Sequence, residues 1–250
     1  YNIERVIEAL RSSKRPVALI GSGLKTSEGK RLLAEFLDKV PMPTVSSLLG
    51  MDVLPHSSEY YRGVVGSYGN RAANLCMKYA DCILVLGNRM DDRQISPAVA
   101  KEFSDKNIIH VDIDEHEINN KLNETISIVG DVCLFLKKMI DKIDKLKFES
   151  WLKITKYMLD ELNKFDRVDF MSLNSAKEVH PNDFLSIVSA TIDANYTLDV
   201  GNNQMYAMQS LYIKKNTKVF SSGGLGAMGY SLPAAIGVCY PEKDTKTICI

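Results

Sequence analysis

The stretch Ser221-Ser222-Gly223-Gly224-Leu225-Gly226-Ala227-Met228-Gly229-Tyr230-Ser231-Leu232-Pro233-Ala234-Ala235-Ile236-Gly237 crowds glycines into a turn that opens into a helix of small residues. Glycine is favoured where the chain takes a positive φ or where a ligand must approach the main chain, and elsewhere it carries an entropic cost. A bare hinge does not need Leu225 and Met228 set between the glycines, so a large ligand is expected against this backbone. The apolar run Lys218 to Phe220 before it and the helix expected from Ala227 to Val238 after it make a strand, a glycine turn and a helix. That is the repeating unit of an α/β sheet.

The same alternation runs through the chain upstream. Strands are expected at Val17 to Ile20, Thr44 to Ser46, Cys82 to Leu86, Ile108 to Ile113 and Ile126 to Val129. Helices are expected at Ile3 to Ser12, Glu28 to Val40, Arg71 to Ala80, Ala98 to Phe103 and Val132 to Ile143. Strands so spaced, joined by right-handed helical crossovers, give a doubly wound, Rossmann-like parallel sheet over residues 1–145. A charged, glycine-free segment follows, with Trp151, Ile154, Met158 and Leu162 at near-helical spacing, and reads as a connecting helix and linker over 146–176. A second α/β unit over 177–250 is expected to hold helix Asn182 to Thr191, strand Thr197 to Val200, a short helix after Gly201, and an apolar terminal strand. The chain starts at Tyr1 and stops at Ile250 inside that strand, so it is expected to be a piece of a longer protein.

Composition narrows the function. The 31 Lys plus Arg balance the 31 Asp plus Glu, so no bulk field draws the chain to nucleic acid or to an anionic membrane, and small ligands are favoured. The five scattered cysteines (Cys76, Cys82, Cys133, Cys239, Cys249) sit mostly in apolar runs and read as reduced, buried thiols of a cytoplasmic protein. No apolar run approaches the ~20 residues of a membrane span.

Chemistry concentrates at strand ends. Gly21-Ser22-Gly23 follows the first strand directly, where backbone N–H groups can face a phosphate at a helix N-terminus. The third glycine of the dinucleotide fingerprint would fall at Thr26, and Val45-Ser46 ends the second strand without an acid, so an ordinary NAD site is disfavoured. Further loops at Gly66-Ser67-Tyr68-Gly69, Gly87-Asn88-Arg89-Met90-Asp91-Asp92-Arg93, Asp112-Ile113-Asp114 and Gly130-Asp131 fall where a parallel sheet places ligand contacts. In the second unit, Asp199-Val200-Gly201-Asn202-Asn203-Gln204-Met205 passes from a strand end into a helix start, a geometry suited to a diphosphate. His56, His110, His116 and His180 lack any spacing for catalysis or metal binding and read as structural or exposed.

These motifs together resemble the thiamine-diphosphate (ThDP) enzymes of the acetolactate synthase group, whose cofactor loop reads Ser-Gly-Gly-Leu-Gly-x-Met-Gly and then Leu-Pro-Ala-Ala-Ile-Gly. Residues 199–205 are similar to the group's Asp-Val-Gly-Gln-His-Gln-Met, with Asn202-Asn203 in place of Gln-His. The resemblance implies ThDP held with Mg²⁺ at Val200, Gly201, Asn202 and Asn203, Gly226 meeting the pyrimidine amine, and Met228 as an apolar wedge under the bent cofactor. It also implies FAD, or another adenine nucleotide, at Gly21, Gly23, Ser47, Leu48, Tyr68, Gly87, Arg89, Asp91, Arg93, Asp112, Ile113 and Asp131. Ser67-Tyr68 and Gln94-Ile95-Ser96 depart from the group's Met-His and Val-Thr-Gly. The activating glutamate and the Mg²⁺ ligands of the group fall outside these residues, so no catalytic residue is assigned.

The implied activity is decarboxylation of a 2-keto acid, pyruvate, with transfer of the two-carbon unit to a second carbonyl compound, by a homodimer or homotetramer in the cytoplasm. A simple 2-keto acid decarboxylase or oxidase, and a catalytically silent nucleotide-binding module, stay open at this point.

Overall fold

The computed structural model of the chain describes residues 2–123, 125–166 and 179–250. Six strands, β1 (Pro16–Ile20), β2 (Thr44–Ser46), β3 (Tyr61–Val64), β4 (Cys82–Leu86), β5 (Asn107–Asp112) and β6 (Ile126–Val129), form one sheet in the order β3-β2-β1-β4-β5-β6. Every pairing in it is parallel. The order reverses between β1 and β4, which is where a doubly wound sheet opens its crevice.

Side chains alternate across this sheet, and both faces are buried. Ala18, Ile20, Leu84 and Leu86 join one apolar cluster with residues of α1 (Ile3–Ser12), α2 (Ser27–Lys39) and α5 (Val132–Lys142). Val17, Leu19, Ile83 and Val85 join the opposite cluster with α3 (Arg71–Tyr79), Phe103 beyond α4 (Pro97–Glu102), and Trp151 of α6 (Glu149–Asp166). Burial on two faces explains why these strands read as continuous apolar runs.

A second, three-stranded parallel sheet has the order β8-β7-β9, from β7 (Ala194–Leu198), β8 (Val219–Ser221) and β9 (Lys246–Cys249). Its helices are α7 (Pro181–Thr191), α8 (Asn202–Ser210) and α9 (Ser231–Cys239). Tyr196, Leu198, Met208, Ile213 and Val219 share a core with Met51 and Val64 of the first unit. Polar contacts pin the same joint: buried Asp52 accepts Val219 N at 3.1 Å and pairs with Lys25 at 3.1 Å, while His56 N donates to Ile213 O at 2.8 Å and His56 Nδ1 accepts Ile213 N at 3.0 Å. Burial drives the His56 pKa down to about 4, so the ring is neutral and free to accept.

Several elements depart from the sequence reading. β3 was not expected, because Arg62 and Gly63 interrupt its apolar pattern. The Arg62 side chain is nonetheless 1% exposed, donating to Thr155 Oγ1, Glu59 O, Tyr61 O and Leu152 O. The expected connecting helix is α6, and it docks on the first sheet through those bonds and through Trp151 Nε1 to Pro16 O at 3.1 Å. Ile154 is 52% exposed and Thr155 takes its place in the buried stripe. The linker expected after α6 falls largely on 167–178, outside the described residues. Expected from Ala227, α9 starts at Ser231, because Gly229 at φ +83° breaks the helix path before it. Strand β7 lies three residues earlier than expected at its start and ends before Asp199. Cys239 and Cys249 are exposed and Cys133 is half-buried, against the expectation of buried thiols, since Cys239 ends α9 and Cys249 lies on the edge strand β9; Cys76 and Cys82 are buried.

Candidate functional site

A cleft of ≈ 470 Å³ opens at the strand ends where the large sheet reverses its order. Of the first-unit residues expected at a site, Gly23, Ser47, Leu48, Tyr68, Gly87, Arg89, Asp91, Arg93, Asp112, Ile113 and Asp131 line it. Gly21 lies behind this wall, and a Cβ on it would stand 2.0 Å from Gly87 O. One expectation is corrected here: Gly21 N donates to Leu86 O at 3.0 Å and Gly23 N to Gly87 O at 3.1 Å, so neither N–H is free to face a phosphate. These glycines serve close packing of the β1 and β4 loops, with Gly87 at φ +56°. Thr26, where the fingerprint would place a glycine, caps α2 by accepting Gly29 N at 3.0 Å.

The lining charges divide by strand. Arg89 and Arg93 lie on the loop after β4; Arg89 lies 3.9 Å from Asp91, and the Arg93 guanidinium has no partner among the described residues. Asp112, Asp114 and Glu117 lie at and beyond the end of β5, and Asp131 beyond β6. Two of the expected acids also do local work, since Asp131 caps α5 by accepting Leu134 N at 2.9 Å and Asp112 accepts Asp114 N at 3.0 Å. Behind the floor, buried His110 donates its Nε2 proton to Asn88 O at 2.9 Å, and burial lowers its pKa, which keeps it neutral.

Leu49, Gln204, Met205, Met208 and Gly223 also line the cleft and were not expected there. Four of them belong to the second unit, which reaches the cleft only through docking. Leu48, Leu49, Met205 and Met208 make an apolar section that the sequence does not advertise.

The second unit's expected residues gather elsewhere. Val200, Gly201, Asn202, Asn203, Gly226 and Met228 lie outside the cleft lining, at the C-terminal edge of β7 and on the glycine turn. A Cβ on Gly226 would stand 3.9 Å from Val200 Cγ1 and 3.9 Å from Arg93 Nη2, so this surface adjoins Arg93 of the cleft lining. Gly201, Gly226 and Gly229 all take positive φ, which glycine tolerates at no steric cost. At the start of α8, no side chain caps the helix, and the N–H groups of Asn202 and Asn203 find no protein acceptor among the described residues. Leu225 is 99% and Met228 83% exposed. Asp199, not singled out from the sequence although it begins the Asp-Val-Gly run, holds this surface together. Its carboxylate accepts Ser231 N, Gly229 N and Val200 N, each at 2.8 Å, and those bonds lower its pKa.

A doubly wound sheet with a charged, partly apolar cleft, joined to a glycine turn facing an uncapped helix start, defines an α/β protein with two candidate ligand sites. Residues 3–139 match the family model "Thiamine pyrophosphate enzyme, central domain" and residues 199–250 match "Thiamine pyrophosphate enzyme, C-terminal TPP binding domain". The chain belongs to the thiamine pyrophosphate enzyme family. It is 32% identical over 251 residues to the acetolactate synthase large subunit of Lactococcus lactis, covering 98% of this chain and 42% of that protein. It is 29% identical over 259 residues to the acetolactate synthase isozyme 3 large subunit of Escherichia coli K12, covering 99% of this chain and 44% of that one. A probable acetolactate synthase large subunit of Methanococcus aeolicus is 30% identical over 265 residues, with 99% and 43% covered. The chain thus spans less than half the length of these relatives. Among the described residues, no three His, Cys, Asp or Glu side chains converge to hold a metal ion, and no helix is long and apolar enough to cross a membrane.

Proposed function

We propose that the chain works in an acetolactate synthase-type reaction, in which pyruvate is decarboxylated on ThDP and its two-carbon unit is transferred to a second carbonyl compound. The carrying observation is the exposed pair Leu225 and Met228 on a turn whose Gly226 and Gly229 take φ +68° and +83°, beside the free N–H groups of α8. Apolar side chains held out from the core by a strained-looking but glycine-tolerated backbone fit an apolar wedge for a ligand. When bound, ThDP supplies the carbanion chemistry and the protein binds and orients. Gly201, Asn202 and Asn203 would hold its diphosphate together with Mg²⁺, whose protein ligands lie outside these residues. Gly226 would present its backbone to the pyrimidine, and Met228 would pack beneath it.

The cleft is proposed to take FAD or another adenine nucleotide. Arg89 would donate to the diphosphate, Asp112 would accept from ribose hydroxyls, and the apolar section at Leu48 and Met205 would take a flat ring. The reading includes a homodimer or homotetramer, supported by the apolar run Leu225, Met228, Leu232 and Ile236 on the surface, and cytoplasmic residence, supported by five free cysteines.

Full-length protein incubated with pyruvate, ThDP and Mg²⁺ tests the function. Carbon dioxide release with a carbon–carbon coupled product, lost when either cofactor is withheld, is the expected outcome. Release without a coupled product would favour a simple decarboxylase, and no turnover with nucleotide bound would favour a silent module. For the cleft, Arg89→Ala should weaken FAD binding by about 1.5–3 kcal/mol, the size of a hydrogen bond to a charged group.

A further inference from the structure

One helix touches both proposed cofactor sites. α8 begins with the free N–H groups of Asn202 and Asn203, lays Gln204, Met205 and Met208 along the cleft, and reaches Gln209 in its last turn. Gln209 Nε2 donates to Tyr68 O at 3.0 Å, and Gln209 O accepts Asn70 Nδ2 at 3.2 Å. The loop so held is a wall of the cleft, and its other side is bonded through Ser67 N to Arg93 O at 2.8 Å. Near the start of the helix, Gln204 Nε2 donates to Ser221 Oγ at 2.5 Å, where the glycine turn begins.

We propose that α8 couples the two sites, so that a dinucleotide in the cleft and ThDP at the helix start strengthen each other's binding, with Gln209 carrying the coupling. The inference rests on the two-cofactor reading above. α8 buries only Gln204, Ala207 and Met208, the last two in the core of the small sheet, and leaves Met205 half-buried and Gln209 exposed toward the cleft and its wall. A ligand in the cleft packs on Met205, Met208 and the Tyr68 loop and fixes the helix through them. ThDP then meets a helix start already in place, and linkage requires the effect to run equally in both directions. Gln209 is itself exposed and outside the cleft lining, so it acts on binding only through the loop.

The test is calorimetric titration of ThDP·Mg²⁺ into full-length protein stripped of nucleotide, repeated with saturating FAD, or with ADP where FAD does not bind. The nucleotide should tighten ThDP about 5- to 150-fold, and ThDP should tighten the nucleotide by the same factor. Gln209→Ala, which removes the bond to Tyr68 O but leaves the backbone bond to Asn70 Nδ2 and the Met205 and Met208 contacts, should keep both bindings while lowering the factor severalfold, and Gln209→Lys, which restores a donor toward Tyr68 O, should recover it. A wild-type factor of one with both ligands bound, or full coupling in Gln209→Ala, overturns the inference alone. A wild type that fails to bind ThDP or any adenine nucleotide overturns the two-cofactor reading and the coupling with it.

Discussion

The carboxylate of Asp199 accepts the backbone N–H of Gly229 at 2.8 Å, tying the end of β7 to the glycine turn. Its other oxygen accepts Ser231 N, so an acid from a distant strand caps α9, whose own N-cap residue Tyr230 makes no capping bond. These bonds to the charged form hold its pKa below the ordinary 3.8. A depressed carboxylate contributes stability that is fully present above its unfolded pKa and is lost as pH falls through the folded one. Asp199→Asn should therefore lower stability near neutral pH, with the difference from wild type shrinking below about pH 4. Urea melts of both proteins across pH would show it, and a difference independent of pH would refute the charged cap.

Arg62 gives a prediction for the first unit. Among the described residues no carboxylate pairs with it; its partners are three carbonyls and the Thr155 hydroxyl, of which Leu152 O and Thr155 tie β3 to α6 while Glu59 O and Tyr61 O hold the guanidinium from its own strand side. Arg62→Ala removes four hydrogen bonds and the bulk of a fully buried side chain, at an expected loss of about 3 kcal/mol or more. Because Trp151 is the only tryptophan and hangs α6 on Pro16 O, its emission should shift to the red as α6 loosens. An unchanged spectrum and urea midpoint would count against this role.

The glycines separate by what surrounds them. Alanine at Gly21 would put its Cβ 2.0 Å from Gly87 O and 2.6 Å from Asn88 Cα, both backbone atoms that cannot swing aside. Gly21→Ala should cost about 3 kcal/mol or more, the upper range for overpacking, and distort the cleft. Gly237, inside α9 with nothing within 4 Å of its added Cβ, should behave oppositely. Gly237→Ala should stabilise by about 0.5–1 kcal/mol through lower chain entropy. Parallel thermal melts of the two variants check both signs.

That contrast marks how far the sequence could be read. β1 and β4 were legible because burial on two faces writes an unbroken apolar run, and the edge strand β6 because Ile126 and Ile128 alternate with Ser127, whereas β3 was not, because a buried arginine satisfied by carbonyls looks polar in a list of residues. The loops of the cleft were legible because parallel topology sends ligand contacts to strand ends. Gln204, Met205 and Met208 were not, since only the docking of the second unit turns their helix toward the first. Nor did the motif at Gly21 reveal that its N–H groups are spent on the neighbouring strand.

Met228 decides what the glycine turn is for. A methionine on or beside a helix is ordinarily core, and removing a buried one costs about 2–5 kcal/mol. At 83% exposure Met228 packs almost nothing here, so Met228→Ala should change the stability of this chain by no more than about 0.5 kcal/mol, as at other surface positions. The same substitution in full-length protein should lower kcat with pyruvate far more than it lowers Tm, because the wedge that sets the cofactor's bent shape is gone while the fold keeps its core. Asp199 and Gly226 would still hold the turn, so loss of turnover could not be assigned to its collapse. Steady-state kinetics and melts on that one variant separate the readings: normal turnover with a large fall in Tm would make Met228 a packing residue of the assembled protein and remove the wedge from the proposed site.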